Sequence, residues 1–238
     1  MRNRQYIDMY HHEKKHWWFK GKRAYLSTMV KLTNLHDANI LDIGCGTGFT
    51  TKFLDNFGCV TGIEQNKKAC FYTKKNNVRV VMASANSLPF RAESYDCVTI
   101  LDVLYHDGIN ERKTLQEARR VLKKHGWLLI TDCAHQELFG EHDKAMQARV
   151  RYDKIELESL IENAGFTIVR SSFIFASTFP FFALLRILFR NKKSAHYVSF
   201  PNKYINALLY TCMYIESRFL AYFNLPFGSS IIVLAQKK

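Results

Sequence analysis

One stretch constrains this chain more than any other. An apolar run, Asn39 to Ile43, breaks into Gly44-Cys45-Gly46-Thr47-Gly48, and a helical stretch follows from about Thr50 to Asn56. Glycines at alternate positions allow backbone angles, and a close approach to a ligand, that a side chain would forbid. A strand that ends in such a turn and feeds a helix is the opening unit of a doubly wound sheet, and the turn lies at the sheet's ligand-binding edge. The theme then repeats. Apolar strand runs at Cys59 to Ile63, Val78 to Met82, Tyr95 to Leu101 and Trp127 to Thr131 alternate with helical stretches at Lys67 to Lys75, Glu111 to Lys123 and Ile155 to Ala164. Gly165 stands where the last of these helices would place its C′ residue. With strand-like Phe166 to Arg170 and Ser230 to Gln236, the alternation predicts an α/β fold. It is a doubly wound, mostly parallel seven-stranded sheet with helices on both faces.

Two segments depart from this rhythm. Residues 1–35 carry eight Lys or Arg against two acids, with His11, His12, His16, Trp17 and Trp18 grouped together and a helix expected from Arg23 to Leu32. They read as a helical, aromatic lid. Residues 171–228 are mostly apolar and aromatic, with helices expected near Pro180 to Phe189 and Tyr204 to Phe223. They read as a helical insertion before the last strand. The expected division is therefore a lid (1–35), a core (36–170), an insertion (171–228) and a final core strand (229–238). The insertion's apolar runs fall short of the roughly 20 residues that a spanning helix needs. Phe181, Phe182, Leu184, Leu185, Ile187, Leu188 and Phe189 adjoin Arg186, Arg190, Lys192 and Lys193. That pattern suits either a lid packed on the core or an interfacial helix on an anionic membrane.

The formal net charge is +13. It favours anionic partners without choosing among nucleic acid, a membrane and a phosphorylated substrate. The six cysteines form no Cys-x-x-Cys pair and read as small buried hydrophobes. With no apolar secretory segment at its start, the chain is expected to be cytoplasmic, with peripheral membrane contact as the alternative. No metal is expected, because His11 and His16 lack a carboxylate to complete a site.

The glycine turn also narrows the ligand. Phe49 stands where a dinucleotide fingerprint needs its third glycine, and the Gly-Lys-Ser/Thr of a phosphate loop is absent. Asp42, two residues before Gly44, would oppose a bound phosphate but suits a cation. Glu64, twenty residues after Gly44, ends the second strand, where a carboxylate can accept from both hydroxyls of a ribose. Alone, Asp42 could cap the following loop and Glu64 could be a solvated strand end. Together, at this spacing, they indicate cofactor binding.

These residues continue into Ser87-Leu-Pro-Phe90, Ser94-Tyr-Asp-Cys-Val98, Asp102-Val-Leu-Tyr-His106 and Glu117-Ala-Arg-Arg-Val-Leu-Lys-Lys-His-Gly126. From about Ile40 to Phe166 the chain resembles the class I S-adenosylmethionine-dependent methyltransferases, especially their type 11-like small-molecule group. His16-Trp-Trp-Phe-Lys-Gly-Lys-Arg23 and Leu225-Pro-Phe-Gly-Ser229 are similar to flanking parts of the same family. The resemblance implies a Rossmann-like fold with S-adenosylmethionine as cofactor. It implies that Asp42 and the loop of Gly44, Cys45, Gly46 and Gly48 hold the methionine part, that Glu64 binds the ribose, and that Gln65 lies beside the adenine. Where the family often has an Asp for the adenine amine, this chain has Ser84, followed by Ala85 and Asn86. Backbone near Ala85, or the Asn86 side chain, is the expected substitute. Leu101 and Asp102 are expected to face the reacting centre.

His106, a few residues past the fourth strand, is the expected general base, with a loop-shaping histidine as the alternative reading. The chain has no Asn/Asp-Pro-Pro-Tyr/Phe motif and no Pro-Cys nucleophile, which disfavours nucleic acid. The expected acceptor is a small or lipid-linked molecule. An RNA-directed enzyme and a non-catalytic cofactor- or partner-binding protein are the alternatives. Oligomeric state is left open.

Overall fold

The computed structural model describes residues 3–188 and 201–238. Phe189, Arg190, Lys192 and Lys193 of the expected insertion lie outside the described residues. Two helices, α1 (Asn3–His12) and α2 (Trp17–Lys31), precede a sheet whose strands are β1 (Ala38–Ile43), β2 (Gly58–Glu64), β3 (Arg79–Met82), β4 (Tyr95–Leu101), β5 (Leu122–Cys133), β6 (Phe166–Ile174) and β7 (Ser230–Lys237). The connecting helices are α3 (Phe49–Leu54), α4 (Lys67–Lys75), α5 (Glu111–Val121), α6 (Glu141–Ala145), α7 (Lys154–Asn163), α8 (Phe179–Leu188) and α9 (Lys203–Phe219).

The strand order is β3-β2-β1-β4-β5-β7-β6. The first five strands are parallel; β7 enters antiparallel between β5 and β6. From β1 the chain first builds toward β3 and then returns to place β4 on β1's other side. This reversal opens a crevice at the carboxyl ends of β1 and β4, where such sheets bind ligands. The strands are apolar on both sides because both sides are covered. On one face Leu115, Ala118 and Val121 of α5 and Leu157 and Ile161 of α7 close a core with Val98, Ile100, Leu128 and Ile130. On the other, Tyr25, Leu26 and Met29 of α2 meet Met213 of α9 over Leu129, Ile232 and Leu234. Each large side chain so buried contributes roughly 1.5–3 kcal/mol.

Several boundaries differ from the sequence reading. Helix α2 starts at Trp17, not Arg23, because the His16 ring accepts from Trp18 N at 3.2 Å and caps it. α5 stops at Val121, and Leu122 already pairs with Tyr95 across an irregular step in the ladder. β6 runs to Ile174, so residues 171–174 belong to the sheet. In the insertion, α9 packs on α2, with Tyr25 Oη 3.3 Å from Met213 Sδ.

Candidate functional site

The turn after β1 is built as its composition demands. Gly44 has φ +76°, and a Cβ there would lie 2.4 Å from Val103 Cγ2. Gly46, at φ +57°, faces Met9 of α1, which a Cβ would meet at 3.1 Å. The N-terminal helix therefore lies directly on the turn. A second tie fixes it there. The buried Glu13 carboxylate accepts from the Thr47 hydroxyl and, at 3.3 Å each, from the Thr50 amide and hydroxyl. Tyr10 stacks on Tyr72 of α4 with centroids 4.5 Å apart.

Asp42 is 2% exposed, and both its carboxylate oxygens are engaged inside the protein. Thr51 and Thr99 hydroxyls each donate to it at 2.6 Å. Burial pushes its pKa up to about 6, against those two hydroxyls and the charge of Lys22. Asp42 thus ties β1 to α3 and β4. Cys45 turns its sulfur onto β2, where a Cβ on Gly62 would meet it at 2.7 Å, and burial raises its thiol pKa. Gly48 begins α3.

Glu64 ends β2 beside this turn. Its Oε2 accepts from Gly46 N at 3.1 Å and its Oε1 from Asn66 N at 2.7 Å. Burial raises its pKa, and Tyr6 of α1 lies close enough to feel its charge. Gln65, next to it, is exposed. In the loop after β3, Ser84 Oγ accepts from Asn86 N at 3.2 Å, and Ala85 is buried. The Asn86 amide donates to Gly108 O at 2.9 Å, while its carbonyl accepts from Asn110 N at 2.9 Å and the Thr114 hydroxyl at 3.1 Å. This corrects the expectation that the Asn86 side chain serves adenine: it holds the β4–α5 loop instead. Backbone around Ser84 and Ala85 is what remains for that contact.

At the end of β4, Leu101 is half-buried, and Asp102 has φ +57°. Asp102 forms an ion pair with the buried Lys22 of α2 and accepts from the Thr131 hydroxyl at 3.1 Å. Lys22 also lies 4.3 Å over the Trp18 ring, and burial lowers its pKa to about 8. Asp132, at the end of β5, is fully buried, with Oδ1 accepting from Cys133 N at 2.8 Å and Oδ2 unpartnered. Burial pushes its pKa up to about 7. His106 forms a one-residue bridge with Ala148, and its Nδ1 lies 3.3 Å from Gln147 O. A carbonyl only accepts, so Nδ1 carries the proton and Nε2 keeps a lone pair. Burial lowers the ring's pKa to about 4, so it is neutral near pH 7 and a weak base.

The crevice thus gathers Asp42, Glu64, Asp102 and Asp132 at neighbouring strand ends, with Lys22 among them, in a chain of net charge +13. Glu64 and Asp132, which burial holds toward their neutral forms, would regain their charge beside a cation. A sulfonium nucleoside fits this donor set: backbone at a glycine turn held at positive φ, and a carboxylate at the end of β2. Among the described residues no cluster of three or more His, Cys, Asp or Glu is placed to hold a metal ion. Sequence reasoning missed Glu13, Lys22 and Asp132. Lys22 lies in the His16–Arg23 run; Glu13 and Asp132 carry no local signal.

Residues 41–130 match a family model described as a methyltransferase domain. An uncharacterized protein of Methanocaldococcus jannaschii is 27% identical over 149 residues, covering 62% of this chain and 71% of that one. The uncharacterized methyltransferase YcgJ of Bacillus subtilis is 32% identical over 117 residues, covering 45% of this chain and 46% of that one. The chain spans about a third to a half of the length of several curated relatives it matches. Among solved structures, phosphoethanolamine N-methyltransferase 2 of Haemonchus contortus, in complex with S-adenosyl-L-methionine, shares the fold. The TM-score is 0.59 at 19% identity, covering 90% of this chain and 52% of that one.

Proposed function

We propose that this chain, whose residues 41–130 match a methyltransferase domain, is a class I S-adenosylmethionine-dependent methyltransferase that moves the cofactor's methyl group in line onto a small or lipid-linked acceptor. The observation that carries the reading is the set of buried acids around the glycine turn, Glu64 foremost. The cofactor, when bound, supplies an activated methyl group on a sulfonium. The chain's own work is alignment and exclusion of water, which lowers the barrier by several kcal/mol. Backbone of Gly44 to Gly48 holds the methionine part, with Asp42 fixing that turn through Thr51. Glu64 takes the ribose, and Gln65 and the backbone of Ser84 and Ala85 flank the adenine. Leu101 and Asp102 wall the reacting centre, Asp102 anchored by Lys22. His106, neutral with Nε2 unprotonated, is a weak base that takes the proton only as the bond to the methyl carbon forms and the acceptor group turns acidic.

Radiolabelled S-adenosylmethionine incubated with the protein and fractionated extract tests the acceptor class. Label in the lipid or small-molecule pool supports the reading. Label in RNA selects an RNA-directed enzyme, and cofactor binding with no label anywhere selects a non-catalytic member of the fold. His106→Ala should lower turnover at least a hundredfold with cofactor affinity unchanged. Equal losses of both, or neither, remove the base role.

The lipid-linked form of the reading is supported by the outer faces of α8 and α9. Phe181, Leu184, Ile187 and Leu188 on the first, and Tyr204, Ile205, Leu208 and Ile215 on the second, are exposed. No helix among the described residues is long and apolar enough to cross a membrane. Contact with an anionic bilayer is instead interfacial. Flotation with vesicles rich in phosphatidylserine should carry the protein upward; flotation equal to that with neutral vesicles counts against it.

A further inference from the structure

A second cluster of charge stands over the carboxyl end of β5, on the His106 side of the crevice. Asp143 of α6 is 4% exposed and receives two arginines. Arg151 Nε and Nη2 donate to its Oδ1 at 3.0 and 2.7 Å, and Arg186 Nη1 of α8 donates to its Oδ2 at 2.8 Å. Gly140 N donates to the same Oδ2 at 2.9 Å, which leaves the carboxylate saturated. Arg151 Nη1 continues to Ala134 O at 3.1 Å. The Phe182 ring underlies both guanidiniums, with centroid distances of 5.8 and 5.1 Å. The cluster joins the reacting side through Ala148, the bridge partner of His106 and three residues before Arg151.

Its charge does not balance. Two guanidiniums share one carboxylate, and among the described residues the groups facing them supply no second anion. Burial pushes the Cys133 thiol up to about 11 and raises the Tyr105 phenol, so both stay protonated. His142 is pushed down to about 4 by burial and by the charge of Arg186. Asp132, beyond Cys133, is itself held toward its neutral form by burial. Glu137 and Glu141 on the same segment turn to His135 at 3.2 Å and Lys144 at 2.8 Å. One positive charge is left in a site where the Arg151 and Arg186 side chains are only 3% and 15% exposed. An uncompensated charge so far out of water is costly, and an anionic partner removes that cost.

We propose that Arg186, backed by Asp143 and Arg151, binds an oxyanion of the methyl acceptor, a carboxylate or phosphate group. Arg186 is the more open of the two arginines, and one planar edge of a guanidinium matches either group in bidentate fashion. The proposal rests on the methyltransferase reading only for what the oxyanion is attached to; the clamp itself can be tested without methyl transfer.

The test is thermal unfolding of the full chain, with S-adenosylmethionine present, in titrations of acetate, inorganic phosphate and submicellar dodecyl phosphate at ionic strength matched with sodium chloride. At least one oxyanion should raise Tm saturably. Arg186→Gln should weaken that response at least tenfold, and Arg186→Lys by less, with cofactor affinity within twofold of wild type. A tighter response to dodecyl than to inorganic phosphate supports the clamp and assigns the oxyanion to a lipid-linked acceptor; equal responses support it and assign a free one. No saturable response beyond chloride, or a wild-type response in Arg186→Gln, overturns the proposal. Should Arg186→Gln fail to fold, the wild-type titration and Arg186→Lys decide in the same way: an undiminished response in the lysine variant overturns it. Loss of cofactor binding in the wild type would instead count against the methyltransferase reading.

Discussion

Replacing Gly44 by alanine loads two separate penalties onto the glycine turn after β1. The first is conformational: at φ +76° an L residue is in the left-handed region, which costs roughly 1–2 kcal/mol. The second is steric: the new methyl would stand 2.4 Å from Val103 Cγ2 and 3.1 Å from Cγ1. Val103 is buried against the turn, so this overpacking costs roughly 1–3 kcal/mol. Gly44→Ala should therefore lose about 2–5 kcal/mol, a large part of a typical domain's stability. Val103→Ala alone should lose about 2 kcal/mol for the methyl groups removed. Combined, the two should cost about 1–3 kcal/mol less than their sum, because the clash disappears while the backbone strain stays. Urea unfolding with a constant m-value measures all three variants. Val103 directly follows Asp102, so Gly44→Ala should also weaken S-adenosylmethionine binding at least tenfold, with partial recovery in the double variant. Additive stability losses, or a Gly44→Ala loss below about 1 kcal/mol, would refute the packing argument.

Glu64→Gln keeps the shape of the β2 terminus but removes the charge, so cofactor affinity should fall by about 1.5–3 kcal/mol, the worth of hydrogen bonds to a charged group; calorimetric binding that matches wild type would show the ribose is held elsewhere. Asp132 has a folded pKa near 7, against about 3.9 when unfolded. The folded chain keeps its proton where the unfolded chain sheds it, so Asp132's burial penalty grows from pH 4 to 7 and is complete above that. Lys22, Cys133, Tyr105 and Tyr152 face this carboxyl. Asp132→Asn removes the penalty, so its stability relative to wild type should rise across that window by a few kcal/mol, and parallel pH curves for the two proteins would contradict the burial argument.

What the residues disclose about this molecule divides along sequence distance. The strand, glycine turn and helix around Gly44 are local, and so are the alternating apolar runs; neighbours within about ten residues encode them. The end of β2 at Glu64 follows from the same rhythm. The state of Asp42 does not, because one of its partners, Thr99, is 57 positions away. The start of α2 is hidden because His16 is an uncommon cap and the Trp17–Arg23 run has no clean apolar stripe. Helical periodicity through Leu122 and Lys123 masks the point where β5 begins, since only pairing with Tyr95 draws that backbone straight. Contacts across the crevice are more distant still: Lys22 to Asp102 spans 80 positions, Glu13 to Thr47 34, and Arg186 to Asp143 43. The donor half of the site is thus carried by a local motif common to the fold. The part proposed to meet the acceptor consists of ionic contacts between α2, the β5–α7 connection and α8, which no short window contains. Fold-level likeness therefore reaches the architecture, and the acceptor must be argued from the site. If the proposed oxyanion clamp is right, substitutions in the Asp143–Arg151–Arg186 cluster should change which acceptor is methylated before they change whether S-adenosylmethionine binds.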